Sequence, residues 1–299
     1  MPTTRGDTYW DVLPSMNLSL RFPSDFMISL AAAREIQRPR FEDMKVSLDY
    51  GFNTASGVII VTGGNPTLRP YRAWAADLNF EKYFGTQGYI GLQLFAKKLQ
   101  SYVYRETEAY DYSGLPVLLP PGVTDPEATL TRPVNGKGGK LYGFEVDGTV
   151  PFDIVTPVFS GFGLTGGVGY TKTSIKPGVG AASEDLPDYS RWVANDTRFF
   201  EKWGFNARGS VRYRSAFVGQ FVGFGGEREL RRALSETIID AQVGYDFPKG
   251  SALDGLSLFV QGQNLTDEPF VSVDTGALIQ VCNYQSYGRR FMAGFNYRF

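Results

Sequence analysis

The sequence of 299 residues contains no histidine and a single cysteine, Cys282. Without histidine, Ser-His and Cys-His nucleophile pairs, imidazole metal sites and the HExxH motif are all excluded. One cysteine forms neither an internal disulfide nor a thiolate metal cluster. Any catalysis would depend on carboxylates, lysine or tyrosine. We therefore expect a protein that is not an enzyme and that carries no metal ion or cofactor.

The chain also lacks an excess of one charge and a long apolar run. Thirty Lys and Arg residues face 31 Asp and Glu residues, for a formal net charge of −1. General nucleic-acid binders usually show a strong basic excess, so no nucleic-acid partner is expected. No apolar run reaches the roughly 18 residues that mark a transmembrane helix. Residues 1–10 are polar and lack the apolar region of a secretory signal.

A mean hydropathy of −0.20 leaves one class of membrane protein open. A transmembrane β-barrel alternates side chains towards lipid and towards its lumen, which weakens the hydropathy signal. The period of the apolar residues decides the question, and this period is two along most of the chain. In residues 286–299, for example, Phe291 and Phe295 share one face of an extended strand, and Arg290 and Asn296 share the other. The sequence predicts an all-β chain.

Eleven segments alternate in this way, and many approach the roughly 10 residues of a membrane-crossing strand. The predicted strands are 16–22, 26–34, 74–84, 89–105, 139–150, 159–172, 190–202, 205–215, 234–247, 256–265 and 286–299. The predicted long loops, which follow every second strand, are 35–73, 106–138, 173–189, 216–233 and 266–285. Short turns at one end and long loops at the other are typical of an outer-membrane barrel. We expect residues 1–299 to form one antiparallel barrel domain.

Alternation alone does not separate a barrel from a soluble sandwich, whose apolar face is buried and whose polar face meets water. Aromatic residues near the short turns favour a barrel, because they resemble an interfacial girdle. These residues are Phe80, Tyr83, Phe84, Tyr245, Phe247, Phe295, Tyr297 and Phe299. One strand, 190–202, is irregular. Either Asp196 and Arg198 pair on one face, or the end of this strand lies above the membrane.

Six strings resemble the signatures of TonB-dependent outer-membrane receptors. Two of them are Tyr9-Trp-Asp-Val-Leu-Pro-Ser-Met-Asn17 and Gln263-Asn-Leu-Thr-Asp-Glu-Pro-Phe270. The other four are residues 34–39, 64–70, 142–145 and 287–299. The six occur in the order of the family and span the whole chain. The sequence is most similar to a proteobacterial subgroup linked to carbohydrate scavenging.

This resemblance implies a 22-stranded barrel that is plugged by an N-terminal domain and coupled to the TonB complex. Eleven strands without a plug correspond to the C-terminal half of such a barrel, so the TonB complex would act through an N-terminal region outside this sequence. The aromatic end of the chain, Phe295, Tyr297 and Phe299, resembles the signal that the barrel-assembly machinery reads. The implied location is the bacterial outer membrane, in contact with its lipid.

Two groups of side chains are candidates for ligand contacts. Lumen-facing arginines suit acidic sugars or ferric chelates, but they also suit ion pairs with acids of the plug or of the wall, such as Glu145, Asp147 and Asp240. These arginines are Arg208, Arg212, Arg214, Arg290 and Arg298. Aromatic residues near the loops suit stacking on sugar rings, but tyrosine is also common at membrane interfaces. The predicted ligand-binding residues are Tyr104, Tyr110, Tyr112, Trp192, Arg212 and Arg214.

The predicted function is TonB-dependent active uptake of a bulky nutrient across the outer membrane. An oligosaccharide is favoured by the subgroup resemblance and by the aromatic loop residues. The alternatives are a ferric-siderophore receptor and a passive porin. An outer-membrane hydrolase and a soluble sugar-binding β-domain are weaker options, because the sequence lacks histidine and resembles a receptor family throughout.

Overall fold

The structure is a computed structural model that describes residues 6–176, 182–222 and 228–298. In these ranges the strands are β1 (Ser15–Phe22), β2 (Phe26–Gln37), β3 (Leu48–Asn53), β4 (Val58–Gly63), β5 (Tyr71–Phe84), β6 (Gly88–Leu99), β7 (Tyr102–Ala109), β8 (Ala128–Gly136), β9 (Gly139–Pro151), β10 (Phe162–Ile175), β11 (Trp192–Lys202), β12 (Phe205–Arg214), β13 (Phe217–Val222), β14 (Arg228–Ala233), β15 (Glu236–Asp246), β16 (Leu256–Gln263), β17 (Phe270–Asp274), β18 (Val281–Gln285) and β19 (Arg290–Tyr297). Short 3-10 helices cover Glu42–Met44, Phe152–Ile154 and Pro157–Phe159. Within the described ranges, no helix has the length and apolarity needed to cross a membrane.

Eleven strands form one antiparallel sheet, which we call the wall. Its strand order is β1-β2-β5-β6-β9-β10-β11-β12-β15-β16-β19, so β1 and β19 are its two edges. Each predicted strand corresponds to one strand of the wall, and most boundaries agree within three residues. The predicted all-β class and the predicted number of barrel strands are confirmed.

The two faces of the wall differ in polarity, because successive side chains of a strand point to opposite sides. One rung of paired residues on the first face consists of Leu18, Leu30, Leu78, Leu94 and Phe144. The adjacent rung, on the second face, consists of Ser19, Ser29, Asn79, Gln93 and Glu145. We call these the apolar face and the polar face of the wall.

The two ends of the wall also differ. At the short-turn end, only two or three residues connect β1 to β2, β5 to β6 and β11 to β12. The other end, the long-loop end, carries two smaller sheets. The first outer sheet has the order β3-β4-β8-β7, and the second outer sheet has the order β13-β14-β17-β18. A core of Ile59, Val61, Ala128 and Leu130 holds the first outer sheet together.

The outer sheets correct the prediction that 35–73, 106–138, 216–233 and 266–285 are loops. The pairings explain why the sequence did not reveal these strands. Strand β4 pairs in parallel with β8, which lies more than 60 residues further along the chain, and β14 pairs with β17. Such long-range pairings leave little signal in the local sequence.

The predicted strand 89–105 is wrong as one continuous strand, because β6 ends at Leu99 and β7 belongs to the first outer sheet. Ser101 marks the break. Its hydroxyl donates to the carbonyl oxygen of Pro70 at 2.9 Å and accepts from the backbone N–H of Arg72 at 3.2 Å. These bonds hold the chain against the start of β5 where it leaves the wall. Apolar and polar residues alternate on both sides of the break, because β6 and β7 each belong to a sheet. The sequence pattern therefore does not reveal that the strand ends at Leu99.

Two belts of aromatic residues border the apolar face. At the short-turn end, Phe162 contacts Phe200 with ring centroids 4.5 Å apart, and Phe205 contacts Tyr245 at 4.7 Å. Of the residues predicted to form a girdle near the short turns, Tyr245 belongs to this belt, whereas Tyr83 faces the polar side and stacks on Tyr89. The belt at the long-loop end consists of Phe144, Tyr170 and Trp192.

The irregular strand β11 keeps its register with both neighbours. Asp196 pairs with Gly166 of β10 and with Val211 of β12, which places it on the apolar face. Arg198 lies on the same face, and its Nε donates to Asp196 Oδ2 at 3.2 Å. Of the two alternatives for this strand, the structure contains the ion pair.

Candidate functional site

Three arginines of β12 form a row on the polar face of the wall, which we call the arginine ladder. Each lies close to a carboxylate. Arg208 Nη2 is 2.7 Å from Glu201 Oε1, Arg212 Nη2 is 3.1 Å from Asp240 Oδ2, and Arg214 Nη2 is 3.2 Å from Glu236 Oε1. The side chains of Arg208 and Arg212 nevertheless remain 59% and 60% exposed. Because a guanidinium has five N–H donors, both can contact a further anion.

Asp240 links the arginine ladder to the turn after β16. Its Oδ1 accepts from the backbone N–H of Asn264 at 2.8 Å, while its Oδ2 faces Arg212. Asn264 has a φ of 52°, a conformation that asparagine tolerates better than most residues. Its side chain accepts from the N–H of Glu268 and donates to the carbonyl oxygens of Glu268 and Gly288. The string 263–270 thus forms a turn that supports the ladder.

Replacing Asn264 by alanine should lower the free energy of unfolding by about 2–4 kcal/mol. The variant loses side-chain hydrogen bonds to three backbone groups, and it places alanine at a positive φ. Urea unfolding of the full-length gene product in lipid vesicles measures the effect. The control is Asn283→Ala in the neighbouring β18, where the structure gives the side chain no hydrogen bond; it should change stability by no more than about 0.5 kcal/mol. An equal loss of unfolding free energy in both variants would contradict the role of the Asn264 side chain in stabilising this turn.

A second cluster on the polar face is acidic. Asp77 and Glu81 of β5 and Glu145 and Asp147 of β9 lie on either side of β6. Their hydrogen bonds come from neutral side chains: Gln93 donates to Asp77 at 3.3 Å, Tyr83 donates to Glu81 at 2.5 Å, and Tyr89 donates to Asp147. None of the four forms an ion pair within the described part of the chain. We call this cluster the acidic patch.

The segment before β1 is fixed to the long-loop end by ion pairs. Asp11 accepts from Arg72 Nε at 2.6 Å and from Arg72 Nη2 at 3.1 Å, and Arg34 Nη2 lies 3.6 Å away. The hydrogen bond from Arg72 lowers the pKa of Asp11 below its ordinary value. Arg34 also donates to the carbonyl oxygen of Val12. The aspartate of the string 9–17 therefore fastens this segment to β2 and β5.

The structure separates the predicted ligand-binding residues. Arg212 and Arg214 lie together on the polar face. Trp192 lies on the opposite, apolar face, where its ring contacts Tyr170 at 4.7 Å. This position favours an interfacial role for Trp192.

The three predicted tyrosines lie in the first outer sheet or directly after its strand β7. Tyr110 and Tyr112 pack against the core of that sheet. Tyr104 lies on β7 and donates to Glu106 Oε1 at 3.2 Å, and burial raises the pKa of its phenol. Trp192 lies on the face opposite the arginine ladder, and the three tyrosines lie in or next to a different sheet. Their role in ligand binding stays a prediction.

The acidic patch is a candidate site that the sequence did not single out as a unit. Its four residues stand at odd-numbered positions of two strands, and alternation alone placed them on polar faces. What was missing was the knowledge that β5 and β9 both pair with β6. That pairing brings together residues some 70 positions apart.

Several solved structures of longer proteins share the fold of this chain. A mutant of the ferric enterobactin receptor PfeA from Pseudomonas aeruginosa, in complex with enterobactin, matches with a TM-score of 0.67 at 17% identity, over 96% of this chain and 40% of that one. The siderophore receptor PirA from Acinetobacter baumannii matches with a TM-score of 0.61 at 16% identity, over 96% and 41%. The unliganded ferric citrate transporter FecA matches with a TM-score of 0.60 at 13% identity, over 95% and 38%.

The chain thus spans about 40% of the length of the solved structures that it matches. No curated protein sequence matches it. The family described as TonB dependent receptor-like, beta-barrel matches residues 2–265, which is most of the chain and includes the acidic patch and the arginine ladder. This protein belongs to the TonB-dependent receptor β-barrel family, a family of transport receptors.

Proposed function

We propose that the full-length protein takes up a bulky nutrient across the bacterial outer membrane with energy relayed by TonB, and that residues 1–299 supply one segment of its barrel. The observation that carries this proposal is the wall itself. It combines an apolar face, a polar face and loops sorted by length in a chain that matches the receptor family. A soluble sandwich has no need of an apolar face bordered by aromatic belts at both ends.

The dimensions of the apolar face support a location in the membrane. Phe162 of the short-turn belt and Tyr170 of the long-loop belt are eight residues apart on β10. At about 3.3 Å per residue and a tilt of about 40°, this separation gives a height of roughly 20 Å, close to the ~25 Å apolar band of outer-membrane barrels. Phe295 and Tyr297 point to the same side and are 72% and 52% exposed. They fit the proposed assembly signal, whose last residue, Phe299, lies outside the described residues.

The acidic patch is the proposed contact for the plug domain that the family carries N-terminal to this segment. Four carboxylates on the polar face of the wall, with no ion pair in the described part of the chain, favour a partner that supplies lysine or arginine. The plug occupies the lumen of such barrels, and the TonB complex acts on it from the short-turn side. Energised uptake, rather than the passive flow of a porin, requires both partners.

An anionic ferric chelate is the substrate class that the site supports best. Arg208 and Arg212 present exposed guanidinium groups on the polar face, and such groups bind oxygen-rich anions through charge-assisted hydrogen bonds. The solved structures described above include ferric enterobactin and ferric citrate proteins, which is consistent with this class. An oligosaccharide remains the second candidate, because Trp10 and Tyr284 expose 96% and 63% of their surface at the long-loop end.

Substrate class is tested with the full-length gene in a receptor-null strain. Uptake of radiolabelled ferric chelates and growth on glycans are compared with and without TonB. We expect chelate uptake that disappears without TonB. TonB-independent uptake would indicate a porin, and growth on glycans without chelate uptake would indicate the oligosaccharide.

The double variant Arg208→Gln/Arg212→Gln should raise the half-saturating concentration for chelate uptake roughly tenfold, which corresponds to the loss of about 1.4 kcal/mol of binding. The matched control is Lys98→Gln. It removes a positive charge from the apolar side of β6, and it should leave this concentration unchanged. Surface levels of every variant are measured by immunoblotting. An unchanged half-saturating concentration in the double variant would show that the arginine ladder does not bind the chelate.

A further inference from the structure

The ion pair of Asp196 and Arg198 occupies an unusual place on the wall. Both side chains project from the apolar face of β11, and Arg198 Nε donates to Asp196 Oδ2 at 3.2 Å. If the wall spans the outer membrane as proposed, this face contacts lipid. Charged side chains on the lipid face of a barrel are unfavourable, and most so near the middle of the bilayer.

The pair lies midway between the two aromatic belts. Along β11, Asp196 is four residues from Trp192 of the long-loop belt and four from Phe200 of the short-turn belt. Each distance is about 13 Å along the strand. In the described part of the wall, the other charged residues on the apolar face lie at or beyond the belts: Arg34, Arg72, Lys82, Lys98, Lys140, Lys172 and Lys202. Asp196 and Arg198 therefore stand alone at mid-depth.

The pair does not escape the apolar region by reaching a membrane surface. Arg198 lies closer to the short-turn belt, yet its guanidinium turns back towards Asp196. Neighbouring side chains do not cover it either, since Gly166 is opposite Asp196 and Gly209 is opposite Arg198. The side chain of Arg198 is 80% exposed and that of Asp196 is 38% exposed. Lipid headgroups lie at the belts, so a headgroup phosphate does not reach this depth.

We propose that this patch is a contact between two copies of the protein within the outer membrane. The patch carries one charge of each sign, so it is complementary to itself. A two-fold axis along the membrane normal brings Asp196 of one copy close to Arg198 of the other copy. By symmetry, the same contact forms a second time. Gly166, Gly209 and Ala194 leave the backbone open to close approach, as small residues do where membrane proteins associate. In the dimer, the four charged side chains pair with one another and no longer contact lipid.

This inference rests on the proposed outer-membrane location, but it concerns the outer surface of the barrel and not transport. Cysteine crosslinking of the full-length protein in native membranes tests it. In a Cys282→Ser background, Ala194→Cys places a thiol beside the ion pair on the apolar face. Val260→Cys is the matched control, on the same face of β16, three strands away. We expect a crosslinked dimer from the first variant at least five times more abundant than from the second.

Charge variants show whether the pair itself holds the contact. Adding Asp196→Asn and Arg198→Gln to Ala194→Cys should reduce the crosslinked dimer at least fivefold. Exchanging the two charges, with Asp196→Arg and Arg198→Asp, keeps the patch complementary to itself and should retain the dimer. The folded fraction is followed by the mobility of unheated samples in gels, so that misfolding is recognised.

Three results would overturn the proposal. The first is a folded Ala194→Cys variant in the outer-membrane fraction that forms no more dimer than Val260→Cys. The second is a crosslink to a different protein. The third is a dimer that is unaffected when both charges are neutralised. If the chain is absent from the outer-membrane fraction, the proposed location fails as well, and fractionation distinguishes this case from the others.

Discussion

Residues 1–299 expressed alone in a receptor-null strain should leave nutrient uptake at background, at least a hundredfold below that of the full-length protein. The direction of the edge strands is the reason. Because the wall has an odd number of antiparallel strands, β1 and β19 both run from the long-loop end to the short-turn end. The wall does not close on itself by antiparallel pairing, and two copies would need two parallel seams, whereas bacterial outer-membrane barrels are built from antiparallel strands.

A closed barrel that contains this wall therefore needs further strands whose edges run in the opposite direction. If the full-length protein is the proposed receptor, co-expression of its N-terminal part as a separate chain would supply those strands, together with the plug and its coupling to TonB. We expect this pair of chains to restore measurable uptake of the labelled substrate. Uptake by residues 1–299 alone would contradict both the open wall and the need for a plug.

The wall was largely predictable from the sequence, because each wall strand has one apolar and one polar face. The predicted strand 139–150 corresponds to Gly139–Pro151, and 205–215 corresponds to Phe205–Arg214. A shift of one residue would turn Glu145 and Asp147 of β9, or the three arginines of β12, to the apolar face. The period of two therefore fixes the position of the strand, its faces and its approximate ends.

The outer sheets and the ligand candidates were less predictable, because they depend on contacts between distant segments. The segment of Tyr110 and Tyr112 has the composition of an exposed aromatic loop, yet both side chains pack against the core of the first outer sheet, part of which lies some 50 residues earlier in the chain. Trp192 stands next to a predicted loop, but the register of β11 with β10 directs it to the apolar face. Residue type suggested sugar stacking in each case. The position of each aromatic residue in the fold decides whether its ring is accessible to a ligand.

The orientation of strand 190–202 could not be predicted from its sequence and depends on its register with β10 and β12. Both of its faces carry polar residues, so alternation alone leaves its orientation open. The neighbours resolve it, because Val168 and Val211 are apolar-face residues that pair with Ala194 and Asp196. To turn Asp196 to the polar face, β11 would have to shift by one residue against both β10 and β12, which would also turn Trp192 and Phe200 to the polar face. An ion pair on the apolar face is less costly than that rearrangement.

Gly143→Ala should prevent most of the full-length protein from reaching its folded state, with at least a tenfold loss of the heat-modifiable form. Gly143 lies on the polar face of β9, between Phe95 of β6 and Thr171 of β10. A Cβ at this position would overlap the carbonyl oxygen of Tyr170 and would lie 2.8 Å from Phe95 Cζ. Because the Tyr170 oxygen is part of the backbone, the two strands would have to separate in the middle of the wall, and a destabilisation above about 3 kcal/mol is expected.

Two further variants show whether the backbone contact is responsible. Gly209→Ala is the matched control, since Gly209 also lies within a wall strand and a Cβ there meets no atom within 4 Å. This variant should fold as well as the original protein. Adding Phe95→Ala to Gly143→Ala removes the ring but leaves the Tyr170 carbonyl in place, so it should not restore folding. Recovery in that double variant would assign the defect to the Phe95 ring, and normal folding of Gly143→Ala alone would show that β9 and β10 are not paired in the register described.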